Sequence, residues 1–355
     1  MLKKLTGFLV LVGVVSGLAH GETWPDLPAT NASAEIPAQE WEHASGPRTV
    51  MVYVYYPGGS HESMDEETGV MLTCHNWGGI IAWGAPDPVQ IAERYNVVAI
   101  ALDYLQSGTY DSSTQPPYDH GYLQALDALR ALWWVMDGLE KTGVDYASDR
   151  VYATGGSGGG NVALMANKLA PRSFACVVAF SAMPRLTDDV AFGEDSGSTL
   201  NAGYSRDASH ENYLSPAAQA IRDIGNEEHA RQMKSMGNKA KMIIVHGAND
   251  VVCLTSGMDD VAKKLKGAGL DVQYERIDEE RVKAEAVFKN TGHGIGDRTQ
   301  MLFHLGDKYL KPGSAEPKRC VGPRDRDAKD AVKYSVPGGT WIIDYSNGYP
   351  VGRFE

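Results

Sequence analysis

The stretch Tyr-Ala-Thr-Gly-Gly-Ser-Gly-Gly-Gly-Asn, residues 152–161, decides the fold of this chain. It has the pattern of a strand end, a very tight turn and a helix start, and the residues from 162 to 169 have helical composition. Ser157 lies in the turn with glycine on both sides. A nucleophile elbow has this pattern, because so sharp a turn leaves no room for side chains beside the nucleophile. We therefore predict that Ser157 is exposed above the end of a sheet, at the N-terminus of a helix.

The glycine–serine pattern is weak by itself, because the chain contains 39 glycines. A Gly-x-Ser-x-Gly match arises by chance in roughly one of four sequences of such composition. The alternative interpretation is a glycine-rich helix N-terminus without chemistry. The strand–turn–helix context disfavours that alternative. An acid, a histidine and an oxyanion loop in the right order are needed to decide between the two.

Strands and helices alternate along the chain. Hydrophobic patterns predict strands at 49–56, 69–74, 96–103, 150–154, 174–181, 241–246 and 271–277. They predict helices at 122–139, 162–169, 258–266 and 297–310. This alternation indicates an α/β fold with a mostly parallel, doubly wound sheet. In such sheets the active site lies beyond the carboxyl ends of the strands.

Three polar loops lie where an active site of this kind needs them. Residues 75–79, His-Asn-Trp-Gly-Gly, follow the strand two before the elbow, where a first oxyanion donor is expected. Asp250 follows the strand at 241–246, and His293 lies between glycines ahead of the last predicted helix. Together with Ser157, these residues give the chain order serine, aspartate, histidine.

On these motifs, the sequence resembles the α/β-hydrolase superfamily over about residues 49–311. It is similar to carboxylesterases, dienelactone hydrolases and the catalytic domains of prolyl oligopeptidases. Dienelactone hydrolases have a cysteine at the elbow where this chain has Ser157, so their activity is not implied. The oxyanion loop departs from the common His-Gly-Gly-Gly form at Asn76 and Trp77. That departure affects the shape of the substrate site more than its chemistry.

The resemblance implies a role for each of these residues. His293 would accept the Ser157 proton as the hydroxyl attacks an acyl carbon, and Asp250 would hold the imidazole in place. The backbone N–H groups of Gly158 and Trp77 would bind the oxyanion. Trp77, together with Asn76, is also predicted to contact the substrate; a plain packing role is the equal alternative for Trp77.

Other residues compete for these roles. Asp188 follows the strand at 174–181, where some hydrolases place their acid, but Asp250 is favoured because it follows its strand within a tight turn. His75 is predicted to fix its own loop by a hydrogen bond, and His246 to be buried at a strand end. No spacing matches a metal-ligand motif, and no cofactor is predicted.

The two ends of the chain differ from its middle. Residues 1–21 have the pattern of a secretory signal, with Lys3 and Lys4 ahead of a short apolar run. The sequence therefore predicts a secreted or periplasmic protein with no membrane span, and residues 22–48 as an extended arm on its surface. Residues 312–355 form a C-terminal extension with an added strand at 340–345. Residues 183–239 are predicted to form a cap, with short helices at 216–222 and 227–236.

Charge excludes one class of partner. Removal of the two signal lysines changes the formal net charge from −12 to −14. An acidic protein without a basic cluster is a poor binder of nucleic acid. A small-molecule or polymeric ester is the predicted substrate, although its acyl group and the oligomeric state stay open.

Three functions compete. The first is a secreted esterase. The second is a peptidase of prolyl-oligopeptidase type; those enzymes carry a large β-propeller ahead of the catalytic domain, whereas here only the short arm separates the signal from the first predicted strand. The third is a non-catalytic binding member of the fold, which a complete Ser157, Asp250 and His293 set disfavours.

The four cysteines, in a secreted chain, could pair in three complete ways. The expected strand order puts the elbow strand between Cys74 and Cys176, and two strand spacings exceed the reach of a disulfide. A bridge between Cys253 and Cys320 is predicted, because a tail can travel to its partner. Four free thiols are the nearly equal alternative.

Overall fold

The molecule is built around a twisted sheet of parallel strands. The computed structural model describes residues 22–194 and 198–355; the predicted signal at 1–21 lies outside this range. Within it, eight strands form one sheet: β1 (Ala32–Ala38), β2 (Arg48–Tyr55), β3 (Gly69–Cys74), β4 (Val97–Asp103), β5 (Val151–Gly156), β6 (Cys176–Phe180), β7 (Lys241–Gly247) and β8 (Asp271–Ile277). Their spatial order is β1-β2-β4-β3-β5-β6-β7-β8. β2 is antiparallel to both of its neighbours, and all other pairs are parallel.

Helices cover both faces of the sheet. They are α1 (Pro88–Tyr95), α2 (Tyr122–Thr142), α3 (Gly158–Leu169), α4 (Asp188–Phe192), α5 (Pro216–Ile221), α6 (Glu227–Ser235), α7 (Thr255–Gly267), α8 (Glu279–Ala284), α9 (Arg298–Leu310) and α10 (Asp325–Ala328). Along β3, Val70 and Leu72 pack with α2 and α3, whereas Met71 packs with α1 and α9. Successive strand residues point to opposite faces, so two buried layers need a strand that is apolar throughout.

The strand and helix predictions agree with this sheet. Each of the seven predicted strands is present, and the predicted parallel, doubly wound arrangement is confirmed. α3 begins at Gly158, immediately after Ser157, rather than at residue 162. Among the described residues, no helix is long and apolar enough to cross a membrane.

The N-terminal arm contains a strand that the sequence analysis missed. The expectation that residues 22–48 lie across the surface is wrong for 32–38, since β1 pairs antiparallel with β2 along its whole length. Ile36 is fully buried in the main core opposite Val50. Pro37 obscured the pattern, but a proline is tolerated in a strand at the edge of a sheet, which is where β1 lies.

The C-terminal extension forms a sheet of its own. β9 (Val332–Val336), β10 (Gly339–Asp344) and β11 (Val351–Phe354) are antiparallel, so the strand predicted at 340–345 is the middle strand of three. This small sheet packs on the main domain through two tyrosines. Tyr334 donates to the carbonyl oxygen of Lys168, and Tyr345 donates to that of Leu169 at 3.1 Å.

The insertion at 183–239 has two parts that pack differently. Both predicted short helices are present, as α5 and α6. Ile221 and Met233 belong to the main core, and buried Lys168 donates to the carbonyl oxygens of Ile221 and Asp223 at 2.7 and 2.8 Å. The earlier part forms a separate apolar cluster that includes Met183 and Val190. The second part is therefore integral to the core, and a cap role stays a prediction for the first part.

The predicted Cys253–Cys320 bridge is wrong. All four cysteines are free thiols: Cys74, Cys176, Cys253 and Cys320. The N–H of Cys320 donates to the carbonyl oxygen of Asp149, just before β5, at 2.7 Å. The N–H of Cys253 donates to Asp250 at the opposite end of the parallel strands. The tail thus lies along the amino-terminal edge of the sheet, away from Cys253. The sequence of the tail did not indicate where it packs.

Buried His229 makes the stability of this protein depend on pH. Its Nε2 lies 2.9 Å from the carbonyl oxygen of Ser335, and burial together with the Lys168 charge lowers the pKa of His229 to about 3. The unfolded chain takes up a proton near pH 6.5, where the folded protein does not. The folded state therefore loses stability as the pH falls below 6.5. Above pH 6.5, His229 causes no loss of stability.

We predict that His229→Gln reduces this loss. Between pH 7 and pH 5, the free energy of unfolding of the variant should fall by about 2 kcal/mol less than that of the wild type. Chemical denaturation at both pH values measures the difference. His210→Gln, at an exposed position, is the matched control. Equal pH dependence in wild type and His229→Gln would contradict the prediction.

Candidate active site

Three side chains from different loops meet at the carboxyl end of the sheet. The Ser157 hydroxyl donates to His293 Nε2 at 3.0 Å, and His293 Nδ1–H donates to Asp250 Oδ2 at 2.8 Å. Ser157 follows β5, Asp250 follows β7, and His293 precedes α9. The structure therefore brings together the three residues that the sequence singled out, in the geometry that activates a serine.

The turn at Ser157 is as sharp as the sequence implied. Ser157 has φ 54° and ψ −119°, a conformation that costs free energy for a residue with a side chain, and its N–H donates to the carbonyl oxygen of Phe180 at 2.8 Å. α3 lies close enough that a Cβ at Gly159 would be 1.9 Å from the carbonyl oxygen of Cys74. A Cβ at Gly155 would be 2.3 Å from the carbonyl oxygen of Gly159. These glycines let the helix start against the ends of β3 and β5.

Asp250 is held as a buried, ionised acid. Its Oδ1 accepts the backbone N–H groups of Val252 and Cys253 at 2.9 and 3.0 Å, while Oδ2 faces His293. Burial acts to raise the pKa of Asp250, but the hydrogen bond and charge of His293 outweigh it, and the pKa lies below its ordinary value. A carboxylate in this position fixes the tautomer of the histidine and stabilises its cation.

Two other candidates from the sequence lie differently. Asp188 starts α4 and is exposed, where it pairs with Arg206 at 3.0 Å, so the structure places Asp250 rather than Asp188 against His293. His246 is fully buried, as predicted, with Nε2 at 2.7 Å from the carbonyl oxygen of Cys253. The same nitrogen is 3.4 Å from Asp250 Oδ2. Burial lowers the pKa of His246, which favours a neutral ring behind the acid.

The loop at 75–79 brings a second backbone N–H to the nucleophile. A Cβ at Gly158 would lie 2.7 Å from the nitrogen of Trp77, so the two predicted oxyanion donors are neighbours. His75 fixes this loop, as predicted: Nδ1 is 2.8 Å from the carbonyl oxygen of Asn76 and Nε2 is 2.7 Å from Ser107 Oγ. The His75 ring stacks on Tyr104 with centroids 4.0 Å apart.

Aromatic rings stand beside this loop. Trp77 stacks on Tyr118 with ring centroids 3.7 Å apart and packs against Tyr110 at 5.6 Å. The Asn76 side chain packs within its own loop, against Gly79. Its Oδ1 is buried and has no hydrogen-bond partner among the described residues. A substrate contact of Trp77 or Asn76 stays a prediction.

The sequence analysis missed two residues of the site. The guanidinium of Arg298 lies against Gly156, where a Cβ would be 2.3 Å from its central carbon, and it donates to the carbonyl oxygen of Gly84. Arg298 thus ties the loop after β3 to the elbow. Cys253 is buried beside the Ser157 side chain, and burial raises the pKa of this thiol well above its ordinary value. Arg298 could have been found from its position in the sequence, because it begins the helix that follows His293, five residues later.

A cavity of 280 Å³ lies next to residues that contact Ser157, although Ser157 is not itself in its wall. Met183, whose N–H donates to the carbonyl oxygen of Ser157 at 3.3 Å, and Cys253 line it on the side of the site. Most of its other walls are apolar, from the first part of the insertion and the loop after β7: Pro184, Val190, Leu200, Val252 and Leu254. Among the described residues, no group of three or more histidine, cysteine or acidic side chains could hold a metal ion.

Comparison with known proteins gives a family and a fold. A family model described as "Protein of unknown function (DUF2920)" matches residues 107–310. The comparison with curated proteins gave no match.

Two solved structures share the fold. An acylaminoacyl peptidase from Pyrococcus horikoshii matches at 14% identity and a TM-score of 0.53, over 81% of this chain and 43% of that one. A puromycin hydrolase matches at 17% identity and a TM-score of 0.51, over 80% of this chain and 41% of that one. This chain therefore spans less than half the length of either. An esterase from Thermogutta terrifontis matches at 17% identity with a TM-score of 0.47, over 76% and 92% of the two chains. The fold is that of the α/β-hydrolases.

From the geometry of the elbow, we predict that two glycine-to-alanine variants change the free energy of unfolding in opposite directions. Gly159→Ala should lower the free energy of unfolding by about 3 kcal/mol, because the new Cβ would collide with backbone carbonyl oxygens that cannot move independently. Gly267→Ala, where nothing lies within 4 Å of the new atom, should change it by about 1 kcal/mol at most, in the stabilising direction. Denaturant unfolding measures both. A Gly159→Ala protein as stable as the wild type would contradict this account of the turn.

Proposed function

This chain belongs to the family described as "Protein of unknown function (DUF2920)", and from its site we propose that it is a serine hydrolase that cleaves carboxylic esters through an acyl-enzyme. One observation carries the proposal. The Ser157 hydroxyl, the His293 ring and the Asp250 carboxylate form a continuous chain of hydrogen bonds of 3.0 and 2.8 Å. This arrangement generates an alkoxide-like nucleophile at neutral pH.

The reaction would proceed in two halves. His293 Nε2 takes the Ser157 proton as Oγ bonds to the ester carbonyl carbon, and the protonated ring then gives that proton to the departing alkoxide. The second half repeats the sequence with water in place of Ser157, which releases the acid and restores the serine. His293 is a quarter exposed and Asp250 is not exposed at all. Substrate and water can therefore approach the base, while the acid stays out of solvent.

The negative charge that forms on the carbonyl oxygen needs donors in place beforehand. We assign this role to the backbone N–H groups of Gly158 and Trp77, because a Cβ at Gly158 would lie 2.7 Å from the Trp77 nitrogen and the two residues are therefore neighbours. Gly158 is the first residue of α3, so its N–H is free of an intrahelical partner and lies at the positive end of the helix dipole. Removal of one such donor typically costs about a hundred- to a thousand-fold in rate.

The cavity beside Ser157 favours a small ester over a peptide chain. Its volume of 280 Å³ is just below the usual range of about 300–1,000 Å³ for ligand pockets and suits a short acyl or alkoxy group. The charged side chains in its wall each have one partner: Arg185 pairs with Asp260 at 3.1 Å, and Asp189 accepts the Ser198 N–H at 3.2 Å.

A peptidase is the second candidate. The fold that this chain shares with an acylaminoacyl peptidase and a puromycin hydrolase supports it. A non-catalytic role is disfavoured. If the buried carboxylate beside the histidine served packing alone, an apolar residue would serve better. We further propose that the protein acts outside the cytoplasm, and the signal-like pattern at 1–21 supports this.

Substrate kinetics test this proposal. With short 4-nitrophenyl esters and N-acylated amino-acid 4-nitroanilides as the two substrate sets, we expect kcat/KM to be higher for the esters. Ser157→Ala should lower kcat on the order of a million-fold, and Asp250→Asn on the order of ten-thousand-fold, because the amide leaves His293 in the wrong tautomer. Faster cleavage of the anilides would favour the peptidase.

Asp188→Asn is the matched control for the acid. It makes the same chemical change at an exposed aspartate outside the site, and it should retain the wild-type kcat. If Asp188→Asn were inactive while Asp250→Asn retained activity, the assignment of the acid would be overturned.

A further inference from the structure

One buried histidine has no hydrogen-bond partner in the part of the chain that the structure describes. His120 is fully buried, and neither of its ring nitrogens has a hydrogen-bond partner among the described residues. His120 is also one of the residues that line the cavity bordered by Met183 and Cys253. Buried polar groups in folded proteins are nearly always hydrogen-bonded, so an unpaired one calls for an explanation.

The backbone at His120 is held in an unusual conformation. His120 has φ 55°, in the left-handed region that residues with side chains rarely adopt. The residues on either side are fixed: Asp119 accepts Arg222 Nη2–H at 2.9 Å, and the Gly121 N–H donates to Gln124 Oε1 at 2.9 Å. A strained residue persists when its surroundings impose the strain, and such residues cluster at ligand sites.

The same segment is tied to the nucleophile. Gly121 lies directly against Asn161 on α3, where a Cβ would be 2.0 Å from the Asn161 Oδ1. The Asn161 N–H in turn donates to the carbonyl oxygen of Ser157 at 3.1 Å. The cavity that His120 lines is also bordered by Met183 and Cys253, which both contact Ser157. Met183 and Cys253 therefore connect the wall of this cavity to Ser157, although Ser157 and His293 are not themselves part of that wall.

The chemistry of the wall defines what fits. Burial, together with the charge of Arg222, lowers the pKa of His120 to about 3, so the ring is neutral at physiological pH. A neutral imidazole offers one N–H donor and one acceptor nitrogen. The rest of the wall combines apolar side chains, among them Val190 and Leu200, with polar ones, among them Ser198 and Ser256. A hydroxyl group, which also donates and accepts, matches both the ring and this mixed wall.

We propose that this cavity is a substrate subsite and that His120 determines its specificity, by hydrogen-bonding a hydroxyl group on a short ester. The inference rests on the proposed esterase function and names its substrate class. A site built to bond a hydroxyl discriminates strongly against the analogue without it, because the polar group of the protein is then left unpaired. The hydroxyl can belong to the acyl or to the alcohol part of the ester, and the two are distinguished by experiment.

Two pairs of substrates provide the test. On the acyl side, 4-nitrophenyl 3-hydroxybutyrate is compared with 4-nitrophenyl 3-methylbutyrate, in which a methyl group replaces the hydroxyl. On the alcohol side, 2-hydroxyethyl acetate is compared with propyl acetate by proton release. In one pair, we expect kcat/KM of the wild type to favour the hydroxylated ester by about tenfold, the effect of one well-made hydrogen bond.

Variants assign the preference to His120. His120→Phe should bring that ratio close to one, whereas His120→Asn, which keeps a donor and an acceptor and tolerates a positive φ, should retain most of it. The ratio is measured on one protein with two substrates, so partial unfolding of a variant does not change it. His210→Phe, at an exposed position of the insertion, should leave the ratio as in wild type.

The outcomes separate this inference from the proposed function. Hydrolysis of the esters with a ratio near one in both pairs, or with a ratio that His120→Phe leaves unchanged, overturns the subsite and keeps the esterase. If no ester is hydrolysed, the esterase proposal fails. Calorimetric titration of Ser157→Ala with 2-hydroxyethyl acetate and propyl acetate then tests the subsite alone. Equal binding or no binding of the two overturns it, whereas about tenfold tighter binding of the hydroxylated compound that His120→Phe abolishes supports it.

Discussion

The close approach of α3 to the ends of β3 and β5 is the contact on which the rest of the site depends. Gly159 lies so near the carbonyl oxygen of Cys74 that a Cβ would be only 1.9 Å from it, and Ser157, two residues earlier, has a positive φ. The strain is small beside the stability of a domain, but it has a purpose: it exposes the hydroxyl and points the first N–H groups of the helix at the same place. Because β3 runs directly into the loop of Trp77, the same contact also brings the Trp77 N–H, the second proposed oxyanion donor, close to the start of α3.

The order of the strands explains why the acid and the base come from distant parts of the chain. β6 and β7 follow β5 in the parallel sheet, so their carboxyl ends open onto the elbow. The turn after β7 buries Asp250 and gives it two backbone N–H donors. His293 comes from a loop outside the sheet, and the Ser181 hydroxyl donates to its carbonyl oxygen at 2.8 Å. This hydrogen bond helps to hold the loop that carries the base.

Much of this arrangement follows from the sequence, because parallel strands place their carboxyl-end loops at one edge. That rule placed Ser157 and Asp250 at one edge of the sheet, the chain order serine, aspartate, histidine added His293, and the apolar pattern of 69–74 gave β3 its bounds. The same rule could not choose between Asp250 and Asp188, which both follow strands; the difference is that Asp188 starts an exposed helix. Local patterns are also silent on long-range packing. They did not show that the tail lies along the edge of the sheet opposite Cys253, or that Arg298 reaches Gly156. They also did not show that Ile36, next to a proline, belongs to a strand of the sheet.

Covalent labelling of the serine is the measurement that tests the central claim most directly. The protein would be treated with a fluorophosphonate, its intact mass recorded, and the modified peptide identified. An activated Ser157 predicts one added phosphonyl group per chain, located on Ser157 and absent from Ser157→Ala. A protein that stays unmodified, or one in which Ser157→Ala is labelled as the wild type is, would contradict the assignment of Ser157 as the nucleophile.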